Sequence, residues 1–246
     1  MINELLWVFL LLFIFLGVIA SYKLFGRTGL YVWTAISIIL ANIQVLKTIK
    51  VFGFVTAEGN IIYSSTFLIT DILCENYGKK EANKAVIIGF FVLIMTAVVM
   101  QVTLQFVPDE SDIMSPALEQ VFGFFPRIVV ASLAAYLVSQ FHDVWAFQFW
   151  KKKTKGKHLW IRNNASTMVS QLLDNAIFTY IAFVGAFGLE SFFTYGRVHW
   201  EQVFEWPIII EIFWVSYVMK FVVAVCDTPF VYWARRLKKE ADRADG

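Results

Sequence analysis

The stretch GNIIYSSTFLITDILCENYG, residues 59–78, decides what kind of protein this chain forms. It reads as a segment that crosses a lipid bilayer, yet it carries Asp71 and Glu75, with Ser64, Thr66 and Thr70 in the same span. A carboxylate at membrane depth costs at least about 2.5 kcal/mol unless it is paired or hydrated. The two carboxylates sit four residues apart and share one face of a helix. The stretch therefore reads as a polar site held inside an apolar protein.

Working outward, the composition agrees. Of 246 residues, 59% are apolar and 17% aromatic, with a mean hydropathy of +0.64. Soluble domains are nearer half apolar. The excess falls in long runs, each near the roughly 20 residues that span a bilayer as a helix. The expected fold class is all-α, a polytopic transmembrane helical bundle. Strict alternation over about 10 residues, the mark of a barrel strand, is missing. The hydrophobic pattern gives seven spans, roughly 4–21, 29–51, 60–77, 85–106, 117–140, 166–189 and 207–233, in one domain covering residues 1–246. The first apolar run, Leu5 to Ala20, has an acidic Glu4 at its start and no small-residue cleavage pattern after it, so it reads as a retained helix.

Charge distribution supplies an orientation. Lys23 and Arg27, then Lys79, Lys80 and Lys84, then Lys151 to Lys157, then Arg235 to Lys239 gather in alternate connections. By the positive-inside rule these connections are cytoplasmic, which places the N-terminus outside and the C-terminus in the cytoplasm. Asp109, Glu110 and Asp112 form an acidic outer loop between Pro108 and Pro116. Lys47 and Lys50 fall near the outer end of the second span, so either that helix ends early or Lys47 faces the interior. Pro126 is expected to kink the fifth span, and Pro229 to bend or end the seventh. Cys74 and Cys226 both lie in hydrophobic spans and read as packing residues, not a disulfide.

Polar residues recur in helical register. Asn163, Thr167, Ser170, Gln171 and Asp174 form one stripe of the sixth span, opposite Met168, Val169, Leu172, Ile177 and Phe178. Ser216, Lys220 and Asp227 form another on the seventh, with the small Ala224 between them. The second span offers Asn42, Gln44 and Lys47, the third Thr70, Asp71 and Glu75, and the fifth Arg127. Plainer readings stand beside the functional one. Hydroxyls in membrane helices often bond only backbone. Asn42, Gln44 and Gln171 serve equally as interhelical glue, Glu75 can sit in water at a helix end, and an Asp–Lys pair can serve packing alone. His142 and Asp143, beside the basic loop, read as interfacial. No phosphate-binding loop, HExxH, CxxC or nucleophile elbow occurs, and none of His142, His158 and His199 lies at a helix centre. The class this leaves is a carrier of a small polar solute, neither an enzyme nor an ATPase, without cofactor or metal.

The runs TFLITDILCENYGKKEANK (residues 66–84), RNNASTMVSQLLDNAIFTYIAF (162–183) and VMKFVVAVCDTPFVYW (218–233), supported by ANIQVLK (41–47), resemble the bacterial queuosine precursor transporters, also called the vitamin uptake transporter family. The resemblance runs from about residue 30 to residue 234. It implies a six-helix core with one extra N-terminal helix, and import of 7-deazaguanine bases, such as 7-cyano- or 7-aminomethyl-7-deazaguanine or queuine, for salvage of the tRNA nucleoside queuosine. The expected partners are that small deazapurine and the lipid bilayer, with no nucleic acid. An energising partner subunit or a homo-oligomer stays open. A substrate-capturing subunit of an ATP-driven vitamin importer and a non-transporting scaffold are the rival readings.

The chemistry of such a base then suggests a site near mid-membrane between the second, third, sixth and seventh spans. Asp71 or Asp174 would accept from its donor-rich N1/N2 edge. Asn42, Gln171 and Asn175 would add hydrogen bonds, Lys220 would balance charge or bond the carbonyl, and Lys47, Thr70 and Glu75 complete the candidate set.

Overall fold

The computed structural model describes residues 2–123, 125–184 and 205–244. The end of the expected sixth span, residues 190–204 of the following connection with His199, and the Pro126 and Arg127 side chains lie outside the described residues. Among the described residues the chain is all-α apart from one hairpin. Its helices are α1 (Ile2–Gln44), α2 (Asn60–Asn76), α3 (Lys79–Thr103), α4 (Ser115–Phe122), α5 (Phe125–Lys153), α6 (Leu159–Thr179) and α7 (Trp206–Ala244). A π-helical turn, Tyr180–Val184, continues α6. Among the described residues five segments have the length and hydropathy to cross a membrane: Ile2–Gln44, Lys79–Thr103, Ile128–Lys153, Leu159–Val184 and Trp206–Arg243. Their outward faces are apolar, as at Phe13, Phe91, Val98, Trp145 and Val218.

α1 is two arms, not one rod. Gly26 has φ 58° and ψ −141°, a conformation incompatible with a continuing helix and open to glycine. A straight helix of 43 residues would run about 65 Å. Instead the arms fold back on each other. A Cβ on Gly17 would lie 2.2 Å from the Trp33 ring, a contact that an unbroken helix does not allow. The first and second expected spans are these two arms.

The second arm stops at Gln44, short of the expected boundary at residue 51. Thr48–Val51 and Phe54–Ala57 pair instead as an antiparallel hairpin, with Val51 opposite Phe54. The two turn residues, Phe52 and Gly53, both have positive φ, the signature of a tight primed turn. β-Branched Thr48, Ile49, Val51 and Thr56 around Gly53 favour strand over helix here. The chain start lies against this hairpin: Asn3 Nδ2 donates to Lys50 O at 3.0 Å, and the Phe52 N–H donates to Glu4 at 3.2 Å.

The bundle thus has a hairpin end and a basic end. Arg27 meets Glu81 at the basic end, and Lys151 and Arg235 both reach Glu75 there. At the other end, hydrogen bonds from Ser111 and Ser115 hold the Asp109 and Asp112 carboxyls below the usual carboxylate range in the loop before α4. Pro229 does not end α7, which continues to Ala244.

α2 is the central helix, packed against α1, α3, α5 and α7. Thirteen of its 17 residues are buried. Its hydroxyls largely satisfy themselves: Ser64 donates to Asn60 O, Ser65 to Ile62 O, and Thr66 to Tyr63 O. Back-bonding of this kind lets short polar side chains sit in an apolar interior. α3 presents a small face, Ala82, Ala85, Val86 and Gly89, that admits its neighbours closely. Both cysteines are free.

Candidate functional site

The hairpin-end halves of α1, α2, α3, α5, α6 and α7 surround a cavity of about 500 Å³, its open mouth included. Its polar lining is Asn42, Asn60, Ser132, Asp174 and Lys220, and its aromatic walls are Tyr63, Tyr136 and Phe178. Sequence periodicity delivers these groups to one place. On α6, Asn175 and Phe178 lie one and four residues past Asp174, so both share or flank its face. Phe178 therefore belongs with the polar stripe and not with the opposite face expected for it.

Asp174 anchors the wall. Its Oδ1 accepts from Tyr63 Oη at 2.5 Å and from Ser139 Oγ at 3.1 Å. Its Oδ2 accepts from Lys220 Nζ at 2.7 Å. Lys220 also donates to Asn175 Oδ1 at 2.9 Å, and Asn175 Nδ2 donates to Phe213 O at 2.7 Å. The ammonium lies 5.2 Å from the Tyr63 ring centroid. Capacity is left over. An ammonium has three donors, of which two are used, and an ionised carboxylate has about four lone-pair sites, of which three are used. Asn42 donates to Ile38 O at 2.9 Å, and its buried Oδ1 has no donor.

The other candidates lie elsewhere along α2 and α6. Thr70 bonds back to Thr66 O and Phe67 O and touches Gln140 at 3.3 Å, below the cavity. Gln171 is buried at the same depth, and neither of its amide atoms has a hydrogen-bond partner. Asp71 is deeper still, taking a hydrogen bond from Thr167 at 3.2 Å. Glu75 closes the basic end, within 2.7 Å of Arg162, 3.0 Å of Lys151 and 3.1 Å of Arg235. Its side chain is 5% exposed, so it is paired there and not bathed in water. Lys47 lies outside the bundle on the hairpin, 69% exposed and 3.3 Å from Glu58. It neither faces the interior nor joins the cavity.

The largest correction concerns α5. It continues to Lys153, well past the expected boundary at residue 140. Asp143 is consequently inside the protein, 0% exposed, and not interfacial. α5 supplies Ser132, Tyr136, Ser139, Gln140 and Asp143 to the polar interior, at spacings of three, four and one. Carrying the helical period on through Ser139 and Asp143 would have found this face. Tyr63 and Asn60 carried no such signal, because a single aromatic or amide near a helix start looks like ordinary packing.

Together these groups form a polar column through the bundle: the cavity, then Thr66, Thr70 and Gln140, then Asp71, Asp143 and Asp227, then the Glu75 ion cluster. Among the described residues no group of three His, Cys, Asp or Glu side chains is placed to hold a metal ion.

Comparison with known proteins points the same way. Residues 57–234 match the protein family described as "Putative vitamin uptake transporter". The chain is 37% identical over 245 residues to a "Probable queuosine precursor transporter" of Bacillus subtilis (strain 168), covering 99% of this chain and 100% of that protein. It is 27% identical over 153 residues, 62% of this chain and 60% of the relative, to a protein of the same description from Haemophilus influenzae. A "Queuosine precursor transporter" of Escherichia coli (strain K12) is 27% identical over 143 residues, 58% of this chain and 62% of that one. No solved structure matches.

Proposed function

The chain belongs to the vitamin uptake transporter family, and from that premise we propose that it carries a queuosine precursor, a 7-deazaguanine base, into the cell across the cytoplasmic membrane. The names of the three relatives support the substrate class. The observation that carries the reading is the buried Asp174–Lys220 pair, with donor and acceptor capacity to spare, in the wall of a cavity that opens at the hairpin end.

A deazaguanine offers N1–H and N2–H₂ donors on one edge and the O6 acceptor beside them. The fourth lone-pair site of Asp174 and the free Oδ1 of Asn42 accept from the edge, and the third N–H of Lys220 donates to O6. Tyr63, Tyr136 and Phe178 offer flat faces to a planar base. The basic end, rich in Lys and Arg, faces the cytoplasm. The cavity then opens toward the outside and receives the base there. Delivery inward requires α2, α5, α6 and α7 to part around the Glu75 cluster.

The test is uptake of labelled 7-cyano-7-deazaguanine by cells unable to make it, with the aminomethyl base and queuine as competitors. Asp174→Ala and Lys220→Ala are expected to abolish uptake at normal expression. Transport at the wild-type rate by both variants would remove the site. Uptake into liposomes by the purified chain alone distinguishes a self-sufficient carrier from a subunit that needs an ATP-hydrolysing partner.

A further inference from the structure

Below the cavity, the column holds three carboxylates that recognition of the base does not use. Asp71 of α2, Asp143 of α5 and Asp227 of α7 are 0%, 0% and 1% exposed. Asp71 and Asp143 face each other within hydrogen-bonding reach, and Asp227 lies close enough for its charge to act on both. Among the described residues no cation pairs with any of the three.

Hydrogens are short here as well. Thr167 gives one hydrogen bond to Asp71 Oδ2, and Asn163 Nδ2 gives one to Asp227 Oδ1 at 2.8 Å. Asp71 Oδ1, both oxygens of Asp143 and the Oδ1 of the fully buried Asn163 receive none. Ser166, Thr167 and Ser170 lie within hydrogen-bonding reach of Asp143, and their hydroxyls are turned to Asn163 O, to Asp71 and to Ser166 O. The other charged or titratable neighbours do not close the deficit. From α2 comes the Cys74 thiol, from α5 His142, which bonds Ser170 at 2.9 Å, and from α7 Cys226. Lys151, Arg162 and Arg235 are engaged by Glu75 at the basic end. There α1 contributes Tyr22, against Asn76, and α3 contributes Glu81, against Tyr31.

Two buried carboxylates in contact, with no cation between them, are not both ionised at equilibrium; a proton between them turns mutual repulsion into a hydrogen bond. We propose that Asp71 and Asp143, with Asp227 beside them, are the binding site for a coupling proton that drives uptake of the base. The inference rests on the function proposed above. A proton fits better than a metal ion, because no three ligating side chains gather at metal distance among the described residues. The site is wired to the cavity through α5. Ser139, one turn before Asp143, donates to Asp174, and the adjacent Gln140 donates to Thr66 of α2 at 2.8 Å. With the proton present the repulsion between Asp71 and Asp143 is gone and the loaded bundle can rearrange; the proton then leaves to the cytoplasm once the basic end has opened.

The experiment uses the purified full chain in liposomes, with labelled 7-cyano-7-deazaguanine. An imposed pH gradient, acid on the side where the cavity opens, is expected to accelerate wild-type uptake at least tenfold and to concentrate the base inside. A sodium gradient at equal pH is expected to do neither. Asp143→Asn, isosteric and outside the cavity, should keep binding within about threefold and equilibrative exchange, yet lose gradient-driven accumulation; Asp71→Asn should do the same. Wild-type uptake indifferent to pH, or driven by sodium, overturns the proton site while leaving the substrate reading intact. A wild-type chain that binds no deazaguanine overturns the substrate reading first. Should either variant fail to fold, the gradient dependence of the wild type alone decides.

Discussion

Lys220 Nζ lies 2.7 Å from Asp174 Oδ2, with the two side chains 5% and 4% exposed, so α6 and α7 are joined by a buried ion pair in the cavity wall. Removing one partner of such a pair leaves an unpaired buried charge and costs about 3–5 kcal/mol, whereas removing both charges is often close to neutral. Asp174→Asn and Lys220→Met should therefore each lower the melting temperature in detergent, and the double variant should recover most of the loss. Uptake should stay abolished in all three, because the donor and acceptor for the base are gone. A double variant that transports at the wild-type rate would show that the pair serves packing alone.

Two glycines fix the shape of the cavity by what they leave out. A Cβ on Gly89 of α3 would stand 2.2 Å from Tyr136 Oη, the tip of a cavity wall. Gly89→Ala should turn that ring toward the hollow, raise KM for the base several-fold and leave kcat little changed. A Cβ on Gly59 would stand 2.5 Å from Ala41 O and 2.8 Å from Val45 N, both backbone atoms that cannot swing aside. Gly59→Ala should part α1 from α2 and reduce the folded yield. Fluorescence-detected gel filtration and uptake kinetics separate the two outcomes.

The apolar runs made the helical bundle legible, because a lipid-facing surface leaves its composition on the sequence. Helix ends were less so. The second arm of α1 stops at Gln44 because a β-branched run and Gly53 outcompete a helix whose hydropathy is equally good. α5 runs to Lys153 because polar residues that face the interior interrupt hydropathy without interrupting the helix. The same effect hid Asp143. On α6 and α7 the period of the polar stripe pointed to Asp174 and Lys220, whose meeting across two helices the structure supplies. Lys47 and Glu75 were indistinguishable from site residues by spacing, since exposure and ion partners depend on neighbouring helices.

Orientation is open to chemical labelling. The hairpin and the basic loop lie at opposite ends, and Lys50 and Lys155 are solvent-side markers of each. In a Cys226→Ser background, which leaves only the buried Cys74, Lys50→Cys should react with a membrane-impermeant maleimide in intact cells. Lys155→Cys should react only after the membrane is opened. The reverse pattern would invert the protein and turn the cavity mouth to the cytoplasm.

At the basic end, one carboxylate holds three cations of unequal burial. Arg162 is fully buried beside Glu75, stacks 5.6 Å from the Phe147 ring and donates to Lys157 O, whereas Arg235 is 34% exposed. Burial sets the ranking. Glu75→Gln and Arg162→Gln each strand a desolvated charge and should cost about 3–5 kcal/mol. Arg235→Ala removes a partly hydrated contact worth about 0–1 kcal/mol. Melting temperatures should follow that order. Because Arg235 ties α7 to α2 where the bundle must part, its loss should leave the uptake rate at or above wild type. An Arg235→Ala protein that melts as early as Arg162→Gln, or that stops transporting, would mean the cluster is a cooperative scaffold and not a gate.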